Sequence, residues 1–249
     1  MFDVVILAGT TKQSELTTSE QVENKAFVQI HGRPMLDYVI SALRSVSSID
    51  RIMVVGPTAL KQIVEPFGVT VVAQGSSIVE NVQRGFEALA PRAHFLVATS
   101  DIPFLTPAAV EDFISKCHPY DYDLYYPIVS RDVNDRRFPG VKRTYVKLKD
   151  GEYTGGNLFF VNPECLGEAL PRLNKIFALR KSPVRLAATL GFGFVIKLLA
   201  KKLTIRELEA RFSALFAVRS LAIITDFAEI GTDVDKPDDL ALARKDLKV

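Results

Sequence analysis

Three features of the sequence predict an α/β fold built on a mostly parallel sheet with helices on both faces. Short runs of apolar and β-branched residues recur: Val4-Val5-Ile6-Leu7, Ile52-Met53-Val54-Val55, Val69 to Ala73 and Phe95-Leu96-Val97-Ala98. Runs that are apolar at successive positions suit strands buried on both faces. Stretches of helical spacing lie between them, and strand and helix alternating at this interval predict βαβ units. Three of the runs end in small or polar residues, at Gly9, Gly56 and Thr99-Ser100-Asp101. Ligands bind such sheets beyond the carboxyl ends of the strands, where strand order reverses, so Gly9 and Asp101 are expected on that rim.

The opening "MFDVVILAG" reads as the first strand rather than a signal peptide, because it holds an acidic residue and no basic leader. Leu36, Val39, Ile40 and Leu43 fall at i, i+3, i+4 and i+7 of a helix whose first turn suits Pro34. Pro57 to Pro66 is a shorter helix candidate. Ser77-Ile-Val-Glu80 has the form of a capping box, followed on one face by Val79, Val82, Phe86 and Leu89. Thr106 and Pro107 open another helix as N-cap and first position. Further on, Leu124–Val129, Leu158–Val161 and Leu221–Ile224 read as strands. Asn162-Pro163 caps a helix, Ser182-Pro183 starts a long helical stretch, and Thr204 to Glu207 forms a second capping box with Ile205, Leu208, Phe212 and Leu215 on one face. Pro237 starts the final helix.

Composition narrows the function classes. The chain has 249 residues, 48% apolar, enough for one large α/β domain or two small ones, with a substantial core. A net charge of +2 without a Lys/Arg block gives no nucleic-acid footprint. Cys117 and Cys165 are far apart and form no CxxC, which leaves a metal cluster or disulfide framework unsupported and makes a reducing cytoplasm the expected location. His31, His94 and His118 have no metal-ligand spacing. The longest apolar tract, "LGFGFVIKLLA" from Leu190, is interrupted by Lys197 and is too short for a transmembrane segment.

Three positions invite chemistry. In "ILAGTTKQ", Gly9 lets the backbone approach closely, and N–H groups of such a loop cradle phosphate; an ordinary turn is the plain alternative. Lys25 precedes a strand-like segment and offers a mobile point charge to a triphosphate, against the common fate of a solvated surface lysine. Asp101 ends a buried strand, where it could hold a metal or merely cap the turn before Pro103.

Together these segments resemble the GT-A-type nucleotidyltransferases, and among them the MobA-like NTP transferases. The residues that carry the resemblance are Leu7-Ala8-Gly9, Asn24-Lys25-Ala26, Ile30-His31-Gly32-Arg33-Pro34-Met35-Leu36, "SSIVENVQRG" from Ser76, "TSDIPFLTP" from Thr99 and "GTDVDKPDDL" from Gly231. It runs over most of the chain, although Arg131–Lys149 and Pro183–Phe216 match poorly. It implies a single Rossmann-like domain over 1–249: a nucleotide-binding half at 1–130, an acceptor-side segment at 131–163, a helical subdomain at 183–216 and a closing strand and helix at 220–249. It implies an Mg²⁺- or Mn²⁺-dependent transfer of NMP from an NTP to a small phosphorylated acceptor such as a sugar, polyol or cofactor precursor, with release of pyrophosphate. Asp101 would hold the metal, with Asp233 or Asp235 as second ligand and Asp235 preferred. Lys25 would act with Asp101 in catalysis. Leu7, Ala8, Gly9, Thr10, Lys12 and Lys25 would hold the triphosphate, and Gln74, Ser77 and Asn81 the nucleoside.

Two departures stand out: Thr10 replaces the second loop glycine, and the loop arginine is absent, with Lys12 the nearest candidate. Lys147, Gly155, Gly156 and Asn157 are the acceptor-side candidates, in or after the basic run Arg131, Arg136, Arg137, Lys142, Arg143 and Lys147, which suits a phosphate; a solvated, mobile loop is the plain alternative. The 183–216 segment reads as a packed helical insertion; a cap on the acceptor pocket, a homodimer face or a membrane-surface element are its alternatives. Asp238 reads as a helix N-terminal anion. The rival functions are a GT-A glycosyltransferase consuming a nucleotide sugar, for which Asp233-Val234-Asp235 is the suggestive pattern, and a nucleotide-binding sensor without turnover.

Overall fold

In a computed structural model, residues 1–9, 13–179 and 188–247 are described. The first sheet elements are β1 (Phe2–Leu7), β4 (Ile49–Gly56), β5 (Thr70–Ala73) and β6 (Phe95–Thr99), with a small hairpin β2 (Gln29–Ile30) and β3 (Arg33–Pro34) set apart. β7 (Leu124–Ser130), β8 (Val146–Leu148), β9 (Gly151–Gly155), β10 (Leu158–Val161) and β11 (Ser220–Thr225) complete the strands. The main sheet runs β5-β4-β1-β6-β10-β7-β9-β8, and β11 pairs with the other edge of β7. From β5 to β6 every pairing is parallel, as is β7 with β11; β10, β9 and β8 join antiparallel.

Strand order reverses at β1. The chain steps from β1 to β4 and β5 on one side, then crosses to β6 on the other. The carboxyl ends of β1 and β6 therefore flank the crevice where such sheets bind ligands.

The apolar runs of β1, β4 and β6 are explained by burial on two faces, whereas β5 is the edge strand and its residues are exposed or half-buried. Successive side chains alternate, so Val4, Ile6, Leu96 and Ala98 pack with Leu36, Val39, Ile40 and Leu43 of α2 (Met35–Arg44) and with Val110 and Phe113 of α5 (Pro107–Lys116). Val5, Phe95 and Val97 face the other way, onto Val79 and Leu89 of α4 (Ile78–Leu89) and Leu166 and Leu170 of α7 (Leu166–Leu179). A third cluster joins Leu16 of α1 (Glu15–Ser19), the β2–β3 hairpin, Phe104, Phe138 and Leu240 of the C-terminal helix, and buries Val234 completely.

Several local signals fold differently in detail. The stretch from Pro57 breaks into a 3₁₀ turn, the short helix α3 (Lys61–Val64) and a second 3₁₀ turn. At α4, the Ser77 hydroxyl accepts from Glu80 N–H at 3.1 Å, but the Glu80 carboxylate reaches back to Ser76 N–H at 2.7 Å and to Arg84, so the box is closed one residue early. The charged segment after β7 is not all loop: Ser130 caps α6 (Arg131–Arg137). α8 (Phe192–Leu199) and α9 (Ile205–Phe216) form the helical insertion, and the Thr204–Glu207 box on α9 is complete. The helix start expected at Ser182-Pro183 lies outside the described residues. The C-terminal helix α10 spans Pro237–Asp246. Among the described residues, no helix is long and apolar enough to cross a membrane.

Candidate active site

Asp101 follows the last residue of β6 by two positions, and its backbone carbonyl accepts from Val234 N–H at 2.8 Å. That bond ties the end of β6 to the loop between β11 and α10. The loop is irregular between Thr232 and Lys236, and buried Val234 anchors it. Asp233 and Asp235 flank Val234 in the chain, and both carboxylates come back to Asp101. One oxygen from each of Asp101, Asp233 and Asp235 lies within 4.8 Å of the others. Asp239, on the first turn of α10, accepts from Asp235 N–H at 3.1 Å and Lys236 N–H at 3.0 Å, and so fixes the loop.

Lys25 arrives from a separate element. Asn24 is buried, donates to Ala8 C=O at 2.6 Å and accepts from Ala26 N–H at 2.8 Å. It thereby caps the one-turn 3₁₀ helix Lys25–Phe27 and pins it to the end of β1. The Lys25 ammonium lies 3.0 Å from Asp101 Oδ2 and is hydrogen-bonded to Asp235. Arg143 pairs with Asp233 and donates to Gly231 C=O. Asp233 thus pairs with Arg143, while Asp235 shares Lys25 with Asp101.

These pairings divide the titration of the cluster. Burial pushes Asp233 up to about 6, aided by the charges of Asp235 and Asp101 and opposed by Arg143. Burial also acts against Asp235, but the hydrogen bond and charge of Lys25 outweigh it and hold that carboxyl below its ordinary value. Lys25 is raised: Asp101 and Asp235 overcome its burial.

The residues expected from the sequence on the nucleotide side lie on the adjoining rim. A Cβ on Gly9 would sit 2.3 Å from Asn81 Nδ2 and 3.2 Å from Gln74 Cβ, so only glycine fits this approach. Buried Asn81 in turn accepts from Gly75 N–H at 2.7 Å. Gly9, Gln74, Ser77 and Asn81 therefore form one contiguous wall beside Ala8. Leu7 contributes backbone there, its carbonyl accepting from Ser100 N–H, while its side chain lines an apolar cavity behind the sheet with Val82 and Phe159. Thr10 and Lys12 lie outside the described residues.

A cleft of about 630 Å³ adjoins the carboxylates, lined by Asp233 and Asp235 together with Lys142, Arg143, Gly155 and Asn157. Gly156 packs inward, where a Cβ would meet Pro127 and Ile230 at 2.7 Å, and it shapes the turn between β9 and β10 rather than lining the cleft. Lys147 pairs with Glu152 across the β8–β9 hairpin and does not line the cleft. Arg131 pairs with the same Glu152, and Arg137 with Glu229 and Asp246. Only Lys142 and Arg143 of the basic run face the cleft. Asn24 and Asp239 are not among the candidates the sequence singles out, and no local pattern couples Arg143 to Asp233. The first two carried a signal, since Asn before a helical turn and Asp at its third position are capping residues.

Comparison with known proteins agrees with this architecture. The sequence model of the MobA-like NTP transferase domain matches residues 4–184. No curated protein sequence matches the chain. A structure described as a hypothetical transferase from Thermus thermophilus superposes with a TM-score of 0.86 at 34% identity, covering 96% of this chain and 99% of that one. A CMP:2-keto-3-deoxy-manno-octonic acid synthetase, solved with CTP, superposes with a TM-score of 0.63 at 14% identity over 98% of both chains. A nucleotidyl transferase from Methanothermobacter thermautotrophicus does so at 0.60 and 16%, over 98% of this chain and 96% of that one. The last two likenesses show the fold.

Proposed function

The chain belongs to the MobA-like NTP transferase family, whose members are nucleotidyltransferases, and on that premise we propose that it transfers NMP from an NTP to a small phosphorylated acceptor, with release of pyrophosphate and with help from a divalent cation. The observation that carries this reading is the convergence of Lys25, Asp101, Asp233 and Asp235 at the β1/β6 switch point, on the edge of a polar cleft.

The donor set suits a hard cation: it consists of three carboxylates with an oxygen each within 4.8 Å of the others, and no sulfur or imidazole. Asp101, Asp233 and Asp235 are the residues that would hold Mg²⁺, which supplies positive charge against the triphosphate. The chain's own residues do the positioning. Backbone N–H groups after Ala8 donate to phosphate oxygens, with Gly9 letting that backbone pack directly against Asn81. Asn81 and Ser77 line the nucleoside side. Lys25 gives up part of its contact with Asp101 and Asp235 and turns its Nζ to the phosphates, where it offsets charge gathering on the leaving pyrophosphate. Lys142 presents its ammonium to the acceptor phosphate across the cleft. An acceptor phosphate oxygen forms the new bond to the α-phosphorus while the bond from that phosphorus to the β-bridging oxygen breaks, and the electron pair leaves with pyrophosphate. The protein mainly aligns the groups and neutralises charge.

The test is calorimetric titration of CTP, GTP, ATP and UTP, with and without Mg²⁺, into the wild type and Asp101→Ala, each checked for fold by circular dichroism. One NTP should bind in an Mg²⁺-dependent way that folded Asp101→Ala loses. Undiminished Mg²⁺-dependent binding in that variant would sink the assignment of Asp101.

A further inference from the structure

The basic residues are unevenly distributed. Between Glu168 and Glu207 the sequence holds nine Lys and Arg and no acidic residue, although the whole chain is only +2. The remainder of the chain is therefore net acidic. Helix α8 lies inside this segment. Phe194, Val195 and Leu198 are half-buried on one side, while Phe192, Ile196 and Leu199, at i, i+4 and i+7, form a stripe on another. The stripe is 81%, 57% and 78% exposed at these three positions, among the most exposed large apolar side chains described. Lys197 borders it, paired with Glu207 of α9, and exposed Lys201 and Lys202 follow at the end of the helix.

A stripe of this kind edged by lysines has the form of an interfacial helix: the apolar residues enter the headgroup boundary and the lysine ammonium groups meet anionic lipid. We propose that α8 docks the protein peripherally on an anionic lipid surface, inserting Phe192, Ile196 and Leu199 and placing Lys201 and Lys202 at the headgroups. A second copy of the chain is a poorer occupant. A two-fold interface sets a patch against itself, and this patch lies in a segment with nine Lys and Arg and no acid, so both copies would bring only positive charge from that segment to the contact. Docking would also orient the cleft. Leu203 C=O accepts from Lys149 N–H and Asp150 accepts from Ile205 N–H, both at 2.8 Å, which ties the insertion to the turn of the β8–β9 hairpin. Thr154 and Gly155, at the other end of that hairpin, line the cleft. The membrane-bound protein would thus hold one wall of the cleft in a set relation to the bilayer. This inference does not depend on the nucleotide chemistry.

The test is co-sedimentation of the full chain with vesicles of phosphatidylcholine alone and of phosphatidylcholine mixed with phosphatidylglycerol. Binding is expected only to the anionic vesicles and should weaken with added salt. Each lysine near such a surface is worth about a fivefold change in partition, so Lys201→Gln/Lys202→Gln should lower it about 25-fold. Phe192→Ser/Leu199→Ser should abolish it with an unchanged melting temperature, since both side chains face solvent. No binding to either vesicle, equal binding to both, or binding indifferent to Phe192→Ser/Leu199→Ser would each overturn the proposal. So would a dimer in solution that Phe192→Ser/Leu199→Ser separates without any vesicle binding, which would name a second copy as the occupant.

Discussion

Arg143→Met should raise the pH at which Mg²⁺-dependent NTP binding appears. In the wild type, Asp233 is pushed up to about 6, and Arg143 is the cation that keeps it from rising further. The guanidinium and carboxylate are in contact, and their side chains are only 12% and 20% exposed. Two unit charges about 3–4 Å apart at an effective dielectric of about 20 attract by about 4–5.5 kcal/mol. Water entering beside the shorter apolar side chain, and the remaining pull of Lys25, leave a net loss of about 1–2 kcal/mol, or about one pH unit. The sign follows from which form binds metal. The carboxylate ligates and the acid does not, so binding is present above the folded pKa and lost as pH falls through it. The wild-type midpoint is therefore expected near 6 and that of Arg143→Met near 7 or above, with affinity recovered at pH 8.5. The assay is NTP titration at fixed Mg²⁺ from pH 5 to 9, with nucleotide binding lacking Mg²⁺ as the control. A uniform loss of affinity at every pH, with the midpoint unmoved, would refute the reasoning and make Arg143 a ligand contact instead.

Asp233→Asn should stabilise the fold at neutral pH while removing Mg²⁺-dependent binding. A carboxyl whose folded pKa lies above its unfolded value costs stability as pH rises from about 4 to about 6, and Asn resembles the neutral acid. The expected gain at pH 7 is about 1–3 kcal/mol by urea denaturation, falling towards zero at pH 4; a loss at pH 7 would contradict it. Gly9→Ala should destabilise the protein by about 2–4 kcal/mol and weaken NTP binding, because the new methyl group displaces Asn81 and frees the Gly75 N–H it satisfies. Wild-type stability and affinity in that variant, measured by denaturation and calorimetry, would show that the loop relaxes at no cost. Asp101→Ala should remain folded and lose the Mg²⁺-dependent component of NTP binding, as read by calorimetry.

Much of the frame was legible in the residues. Val4–Leu7, Ile52–Val55 and Phe95–Ala98 announce strands buried on two faces because each successive side chain must find an apolar neighbour. Their ends place Gly9 and Asp101 on the rim, and Thr106-Pro107 and Thr204–Glu207 mark helix starts that form as read. These are local properties: propensity, capping and alternation act within a few residues. What the tertiary structure decided is which distant groups meet. Arg143 neutralises Asp233 across ninety positions, while Lys147, four residues further along, pairs with Glu152 on a hairpin away from the cleft. Asp233 and Asp235, equivalent as a D-V-D pattern, acquire opposite displacements because burial of the first outweighs the pull of Arg143, whereas Lys25 outweighs burial of the second. Burial and charge depend on distances through space, and sequence separation carries no record of those distances until the sheet has brought its strand ends together.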